Sequence, residues 1–216
     1  MVSVSSRTRS VRRARVIQAT LATLERVGFA GTTARAIATT GGFNQALIYY
    51  HFENLESLLA SALDDFSERR LQRYRTALEE VSSVTSLVGI LTRLYGEDLQ
   101  SGQLAAAQEI VAGSSSSPEL GRRVVELMDP WFAFAESVVR RLLKDTVFEE
   151  LIPASELAFA LVALYFGVET LSRLDQRHER AQALFESGAR LAPLADLILS
   201  SHITFGNEAG AGGQVE

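Results

Sequence analysis

Residues 32–59 read TTARAIATTGGFNQALIYYHFENLESLL, and the punctuation of this stretch decides the fold. Thr32 or Thr33 can act as N-cap, because a threonine hydroxyl accepts one of the orphan amide hydrogen bonds of a first helical turn. Ala34, Ile37 and Ala38 then fall on one helical face. Gly41 and Gly42 stop that helix, since glycine takes the positive φ that a sharp reversal requires. Phe43 gives the turn an apolar anchor, and Asn44 can cap the next helix. That second helix, Gln45 to about Tyr50, buries Ile48 and leaves Gln45, Ala46, Leu47, Tyr49, Tyr50 and His51 as candidates for exposure. A short capped helix presenting an amide, small groups and aromatics suits the major groove of DNA.

Upstream, residues 1–9 are polar, rich in serine and arginine and without apolar period, which predicts a flexible basic arm. A helix is expected from about Ser10 to Val27, with Val16, Ile17, Leu21, Leu24 and Val27 at helical spacing and Gly28 as its stop. Phe29 is expected under the reader helix. Downstream, Asn54 caps a long helix whose stripe runs from Leu55 through Leu58, Leu59, Ala62, Leu63, Phe66, Leu71, Tyr74 and Leu78 to about Val81. Its start belongs to a head and its end to a body.

The body reads as helical throughout. Apolar-periodic segments span Val84 to about Leu99 and Leu104 to Ala112, separated by Ser101-Gly102 and followed by a Gly113–Ser117 loop. Pro118 suits the first position of a helix running to about Lys144, bent where Pro130 removes a hydrogen bond to Glu126. Pro153 opens a very apolar helix ending near Leu174, and a last helix spans roughly Ala181 to Ser200, weakened or bent at Gly188 and Pro193. The glycine-rich tail 206–216 is expected to be disordered.

The charge is uneven. Residues 1–52 hold Arg7, Arg9, Arg12, Arg13, Arg15, Arg26 and Arg35 against one acid, Glu25, a net +6, while the remainder of the chain carries −11. A basic head on an acidic body orients itself on a polyanion, so these arginines read as a DNA-facing surface. There is no cysteine, which excludes disulfides, thiolate metal sites and a cysteine nucleophile. His51, His178 and His202 show no metal-ligand spacing, and GxSxG, Walker and GxGxxG patterns are absent. No enzyme, metal or cofactor is expected. The N-terminus lacks an apolar signal region, and stretches such as LAFALVALYFGV (157–168) are too short to span a bilayer. A cytoplasmic chain without membrane contact is the expectation.

Thr32-Thr33, Ile37-Ala38, Gly42-Phe43-Asn44, Ile48-Tyr49-Tyr50-His51-Phe52, Glu56 and Leu58-Leu59, at this spacing, resemble the DNA-binding domain of the TetR family of bacterial transcriptional regulators. The resemblance covers roughly residues 11 to 67. It implies an all-α fold: a three-helix head with a helix-turn-helix over residues 10–67, linked by the long helix to an effector-binding and dimerisation body over 68–205. It implies a DNA-contacting set of Thr33, Arg35, Asn44, Gln45, Ala46, Leu47, Tyr49, Tyr50 and His51. Of these, Gln45 can pair with an adenine edge, Leu47 can meet a thymine methyl, and Arg35 can reach a guanine or a phosphate. Two departures stand out: Ala46 replaces a frequent glycine, and Leu55 stands where the family usually carries a phosphate-gripping lysine.

The helices 153–174 and 181–200 carry more apolar surface than one buried face requires. The family's last two helices form a four-helix interface between protomers, which implies a homodimer with Leu161, Tyr165, Val168, Leu184, Leu191 and Leu197 in the seam. Tyr95, Met128, Trp131, Phe132, Phe134, Phe159, Tyr165 and Phe166 either line a pocket beside the bend at Pro130 or fill the core. Core filling is the simpler reading of any one of them; for the group, the family's habit of binding small effectors puts the pocket level with it. Glu97, Gln108, Glu109, Glu126 and Glu169 on the same helices are available to orient a ligand. The expected function is a repressor that binds a palindromic operator in double-stranded DNA and is released by an unknown small molecule. The rival is a ligand-independent dimeric DNA-binding or scaffolding protein.

Overall fold

The computed structural model describes residues 4–175 and 179–201, and among these it is helical without a strand. The head consists of α1 (Val4–Gly31), α2 (Ala34–Gly41), α3 (Ala46–His51) and the first half of α4 (Leu55–Ala77). The body adds α5 (Val84–Gln100), α6 (Gln103–Gly113), a 3-10 turn at Ser114–Ser116, α7 (Pro118–Glu126), α8 (Asp129–Leu143), α9 (Ala154–Asp175) and α10 (Glu179–Ser200). His178, His202 and the tail 206–216 lie outside the described residues.

Local chemistry sets the head's boundaries. Of the two candidate caps, Thr33 starts α2, its hydroxyl accepting from Ala36 N at 3.1 Å. Thr32 is buried instead and donates to the Gly28 carbonyl at 2.7 Å. Gly42 ends α2 at φ 63°, a left-handed conformation open to glycine at no steric cost. Asn44 Oδ1 accepts from Ala46 N at 2.9 Å, which caps α3. Asn54 and Ser57 form a reciprocal capping box at the start of α4.

Five expectations change. α1 begins at Val4, so residues 4–9 are helical and not an arm; this segment contains no glycine or proline and is rich in arginine, a good helix former. Val27 is 43% exposed, at the point where α1 breaks at Gly28. Phe29 does not sit under the reader helix: its ring occupies the space where a Cβ on Gly113, the last residue of α6, would stand. Between Pro118 and Lys144 the chain breaks into α7 and α8 at Leu127-Met128, and Pro130 lies in the first turn of α8, where its missing N–H leaves no gap in the ladder. α10 runs unbroken through Gly188 and Pro193, held along α5.

The buried apolar residues form one cluster that crosses from head to body. Val16, Ile17, Leu21, Leu24, Ile37, Ile48, Leu58 and Leu63 pack with Leu104, Ala106 and Ile110 of α6 and Leu120 of α7. Smaller clusters join α8 to α9 through Val139, Leu143, Ala154 and Ala158, and the end of α4 to α8 through Leu78, Val81 and Val138. α4 is therefore not the sole connection between the two parts. α9, at 22 residues, is longer than its apolar core suggested, and Ala154–Leu174 is long and apolar enough by length and composition to cross a bilayer.

Candidate nucleic-acid interface

α3 buries Ile48 and shows Ala46, Tyr49 and Tyr50 to solvent, beside the exposed Gln45. Thr33, Arg35 and Asn44 are also exposed. Arg35, Thr39, Gly42, Phe43, Asn44 and Gln45 line one shallow groove between α2 and α3. Two members of the expected set differ. Leu47 is half-buried and packs on the head core, because it follows the turn that carries Ile48 inward. His51 is half-buried between Tyr50, 4.8 Å away edge to face, and Phe52. Leu55 likewise packs on the head core.

The N-terminal turns of α1 lie along α3 and the loop after it. The Arg9 guanidinium sits 5.6 Å from the centre of the Tyr50 ring, and that of Arg13 5.0 Å from Phe52. Among the described residues no salt bridge ties down Arg9, Arg12, Arg13 or Arg35. Arg15 and Arg26 have structural tasks. Arg15 Nη2 donates to the Gly41 carbonyl at 2.7 Å and the Gly42 carbonyl at 3.3 Å, closing the end of α2, and its guanidinium lies over Phe43. Arg26 donates to Thr40 Oγ1 at 3.0 Å.

This field acts on His51. Burial first, then Arg9, Arg13 and Arg12, lower its pKa below the ordinary 6.5, so the imidazole is neutral at pH 7. Its Nε2 is buried without a hydrogen-bond partner. The surface as a whole offers a helix shaped for a groove, free guanidinium groups for phosphates, and an amide for a base edge.

The expected ligand pocket and dimer seam divide differently. Tyr165 belongs to the body interior: its hydroxyl meets that of Tyr74 at 2.9 Å, and its ring faces Tyr95 at 6.2 Å. Its hydroxyl is thus engaged inside the body, and the residue is half-buried where the seam leucines are exposed. Trp131 donates to Ser67 at 2.9 Å and packs edge to face on Tyr74. Met128, Phe132 and Phe134 are half-buried. Phe159, 60% exposed, packs its ring 5.5 Å from that of Phe132, and Phe166 is 36% exposed. Leu161, Leu184, Leu191 and Leu197 are exposed as a seam requires, and Val168 is half-buried. Leu164, Leu171, Leu174, Leu194 and Ile198 share that exposure and were absent from the expected set.

The polar centre of the body was only partly visible in the sequence. Arg70 of α4 donates to Asp98 at 2.6 Å and also binds Glu169, while Arg73 binds Asp98 from the same helix. Arg70 lies over the rings of Tyr74, Trp131 and Tyr165. Burial works against its charge, but the Glu169 carboxylate together with the Tyr74 and Tyr165 hydroxyls more than offsets this and holds its pKa raised. Glu169 is a lone charge inside an apolar run, which is the signal that marks it. Glu97 and Glu126 are occupied by surface arginines, Glu109 by Phe29 N and Arg173, and Gln108 is buried with its Nε2 unpaired.

Residues 16–62 match the sequence profile of the family described as bacterial regulatory proteins, tetR family. No curated protein matches the chain. Among solved structures, the chain is similar to a protein from Mesorhizobium loti assigned to the TetR family of transcriptional regulators. The two share 21% identity over 88% of this chain and 96% of that one, with a TM-score of 0.68. FadR from Bacillus subtilis, solved with stearoyl-CoA, is 15% identical over 87% and 97% of the two chains, with a TM-score of 0.65. The multidrug binding protein EbrR, solved with imidazole, is 22% identical over 84% and 95%, with a TM-score of 0.60. Residues 16–62 thus match the profile of the tetR family of bacterial regulatory proteins, and the chain shares the helical fold of these solved structures.

Proposed function

We propose that this chain is a homodimeric, cytoplasmic transcriptional repressor that reads a palindromic operator and is released by a small-molecule effector. The observation that carries the reading is the exposed α3: of its six residues only Ile48 is fully buried, and Ala46, Tyr49 and Tyr50 stand free beside Gln45 and Arg35. One such helix reads too few base pairs to find a site, and a two-fold dimer doubles the count. The assignments follow: head 10–67, body 68–205, with Thr33, Arg35, Asn44, Gln45, Ala46, Tyr49 and Tyr50 on DNA.

Dimerisation is supported by the bare leucines of α9 and α10, including Leu164 at 57%, Leu171 at 66%, Leu191 at 63% and Leu197 at 64% exposure. An apolar surface of this extent marks an interface. Glu169, on the same helix α9, reaches inward to Arg70, so one side of the helix serves the body and the other is free. Effector binding is supported by the ligands of FadR and EbrR. A second reading, a dimeric DNA-binding protein without an effector, is favoured by the way the Arg70 cluster fills the body's interior.

The test is selection from a randomised duplex library, followed by sedimentation and fluorescence anisotropy. The wild-type chain is expected to sediment as a dimer and select a palindrome. Leu161→Glu or Leu197→Glu places a charge in the seam twice per dimer, and at least one is expected to give monomer with lost operator binding. Gln45→Ala is expected to relax selection at one position per half-site, costing about 1–3 kcal/mol. A wild-type monomer that binds a palindrome tightly would sink the dimer. A thermal-shift screen of apolar metabolites separates the effector reading from its rival.

A further inference from the structure

Within the apolar contact between head and body, one carboxylate ties α1 to α6 and α9. Glu109 stands on α6; its Oε2 accepts from Phe29 N at 2.7 Å, and its Oε1 is bound by Arg173 of α9. Phe29 directly follows Gly28, whose φ of 69° and ψ of −178° break α1 and turn that amide away from its own helix. A side chain at Gly28 would be strained by that φ, and its Cβ would approach Glu109 Oε2 to 3.1 Å. The neighbouring contacts align with this joint. Glu25 of α1 rests against Gly102 at the start of α6, and Phe29 covers Gly113 at its end. The surrounding core is apolar and non-directional, so it resists separation of α1 from α6 more than it resists sliding. A charge-assisted hydrogen bond to a fixed amide selects one position.

Arg173 ties the joint to α9. It is flanked by Leu171 and Leu174, which are among the most exposed apolar side chains of that helix. Its partner Glu109 is half-buried and held ionised: burial opposes the charge, but the Phe29 amide and Arg173 more than offset that and lower its pKa.

We infer that Glu109 is a positioning residue for DNA recognition: through Phe29 it fixes where the head stands on the body, and through Arg173 it makes that position depend on α9. The inference rests on the dimeric DNA-binding reading for its consequence, since the position of each head sets the distance between the two reader helices. α6 is then a second tie between head and body beside α4.

The absence of cysteine allows clean labelling. Spin labels at Glu53→Cys, in the loop before α4, and Lys144→Cys, after α8, report the head-to-body distance in chains diluted with unlabelled protein. The parent is expected to give one narrow distribution. Arg173→Met, which keeps the Phe29 contact, and Glu109→Gln, which keeps an acceptor but loses the charge, are both expected to broaden or shift it. On the selected duplex with base pairs added to or removed from its centre, Arg173→Met is expected to reduce the preference for one spacing from about tenfold to about threefold or less, with an unchanged half-site consensus. A merely structural loss would weaken binding at all spacings alike. Distances and spacing preference that both stay at wild-type values overturn the inference. A wild-type chain that selects no duplex overturns the DNA reading instead, and the label distances still decide the joint.

Discussion

Beneath the reader helix, Ile17, Leu24, Ile37, Ile48 and Leu58 are fully buried, and the polar groups among them are the hydroxyls of Thr20 and Thr23. Each donates to a carbonyl one turn back on α1, Val16 O at 2.9 Å and Ala19 O at 2.7 Å, so neither needs a distant partner. At the centre of the body Arg70, Asp98 and Glu169 are buried instead, from three different helices, with Tyr74 and Tyr165 closing the ring. Unpaired buried atoms occur in both parts, His51 Nε2 and Asp64 Oδ1 in the head and Tyr95 OH, Gln108 Nε2 and Arg73 Nε in the body. The head is held by shape, which tolerates small losses. The body is held by mutual satisfaction of charges, where removing one member strands the others. A part that must present one rigid surface uses the first kind of core, and a part proposed to respond to a ligand uses the second.

The largest effect is expected from breaking the charged centre. Arg70→Met leaves Glu169 buried without its partner and should cost about 3–5 kcal/mol in urea denaturation. Adding Glu169→Leu should recover much of that loss, because the uncompensated charge is gone. A double variant as unstable as the single one would show that shape, not charge, holds the body centre.

A smaller and different response is expected from the head. Leu24→Ala deletes fully buried methyl groups and should cost about 3 kcal/mol. No second substitution that removes a polar group should rescue it. Because Leu24 lies in the cluster that includes Leu104 and Ile110, the loss should appear in one unfolding transition for head and body together. Two separate transitions would break the shared core into independent parts.

The smallest effect concerns pH. The folded pKa of His51 is depressed, so between that value and the unfolded 6.5 the unfolded chain binds the extra proton. Stability is therefore full above pH 6.5 and falls as the pH drops through the folded pKa. Thermal melting between pH 7.5 and about 5 should show this slope, reduced in His51→Gln. An equal slope in the variant would assign it to other groups.

Much of the head was legible before any coordinates, for a local reason. Thr33, Gly42, Asn44 and Asn54 act on backbone groups within a few residues of themselves, so their meaning does not depend on what packs above them. The all-α class, the loop at Ser101-Gly102 and Pro118 as a helix start were readable on the same terms. The exposed side of α9 was readable in outline, because its run of apolar residues exceeds what one helix can bury in its own body.

The chain could not announce which residues meet across a distance. Glu109 and Phe29 are 80 positions apart, and Arg70 and Glu169 are 99. Nothing local distinguishes Glu109 from the solvated Glu97, or Tyr165 from the leucines it was grouped with. Arg15 looked like a phosphate ligand until the fold brought the end of α2 to its guanidinium. Capping and helical period are properties of neighbours along the chain, so the sequence by itself determined the elements, their order and the reader motif. Pairing of charges, the facing of α9 and the seating of α1 on α6 depend on distances between elements, and only the tertiary structure decided them.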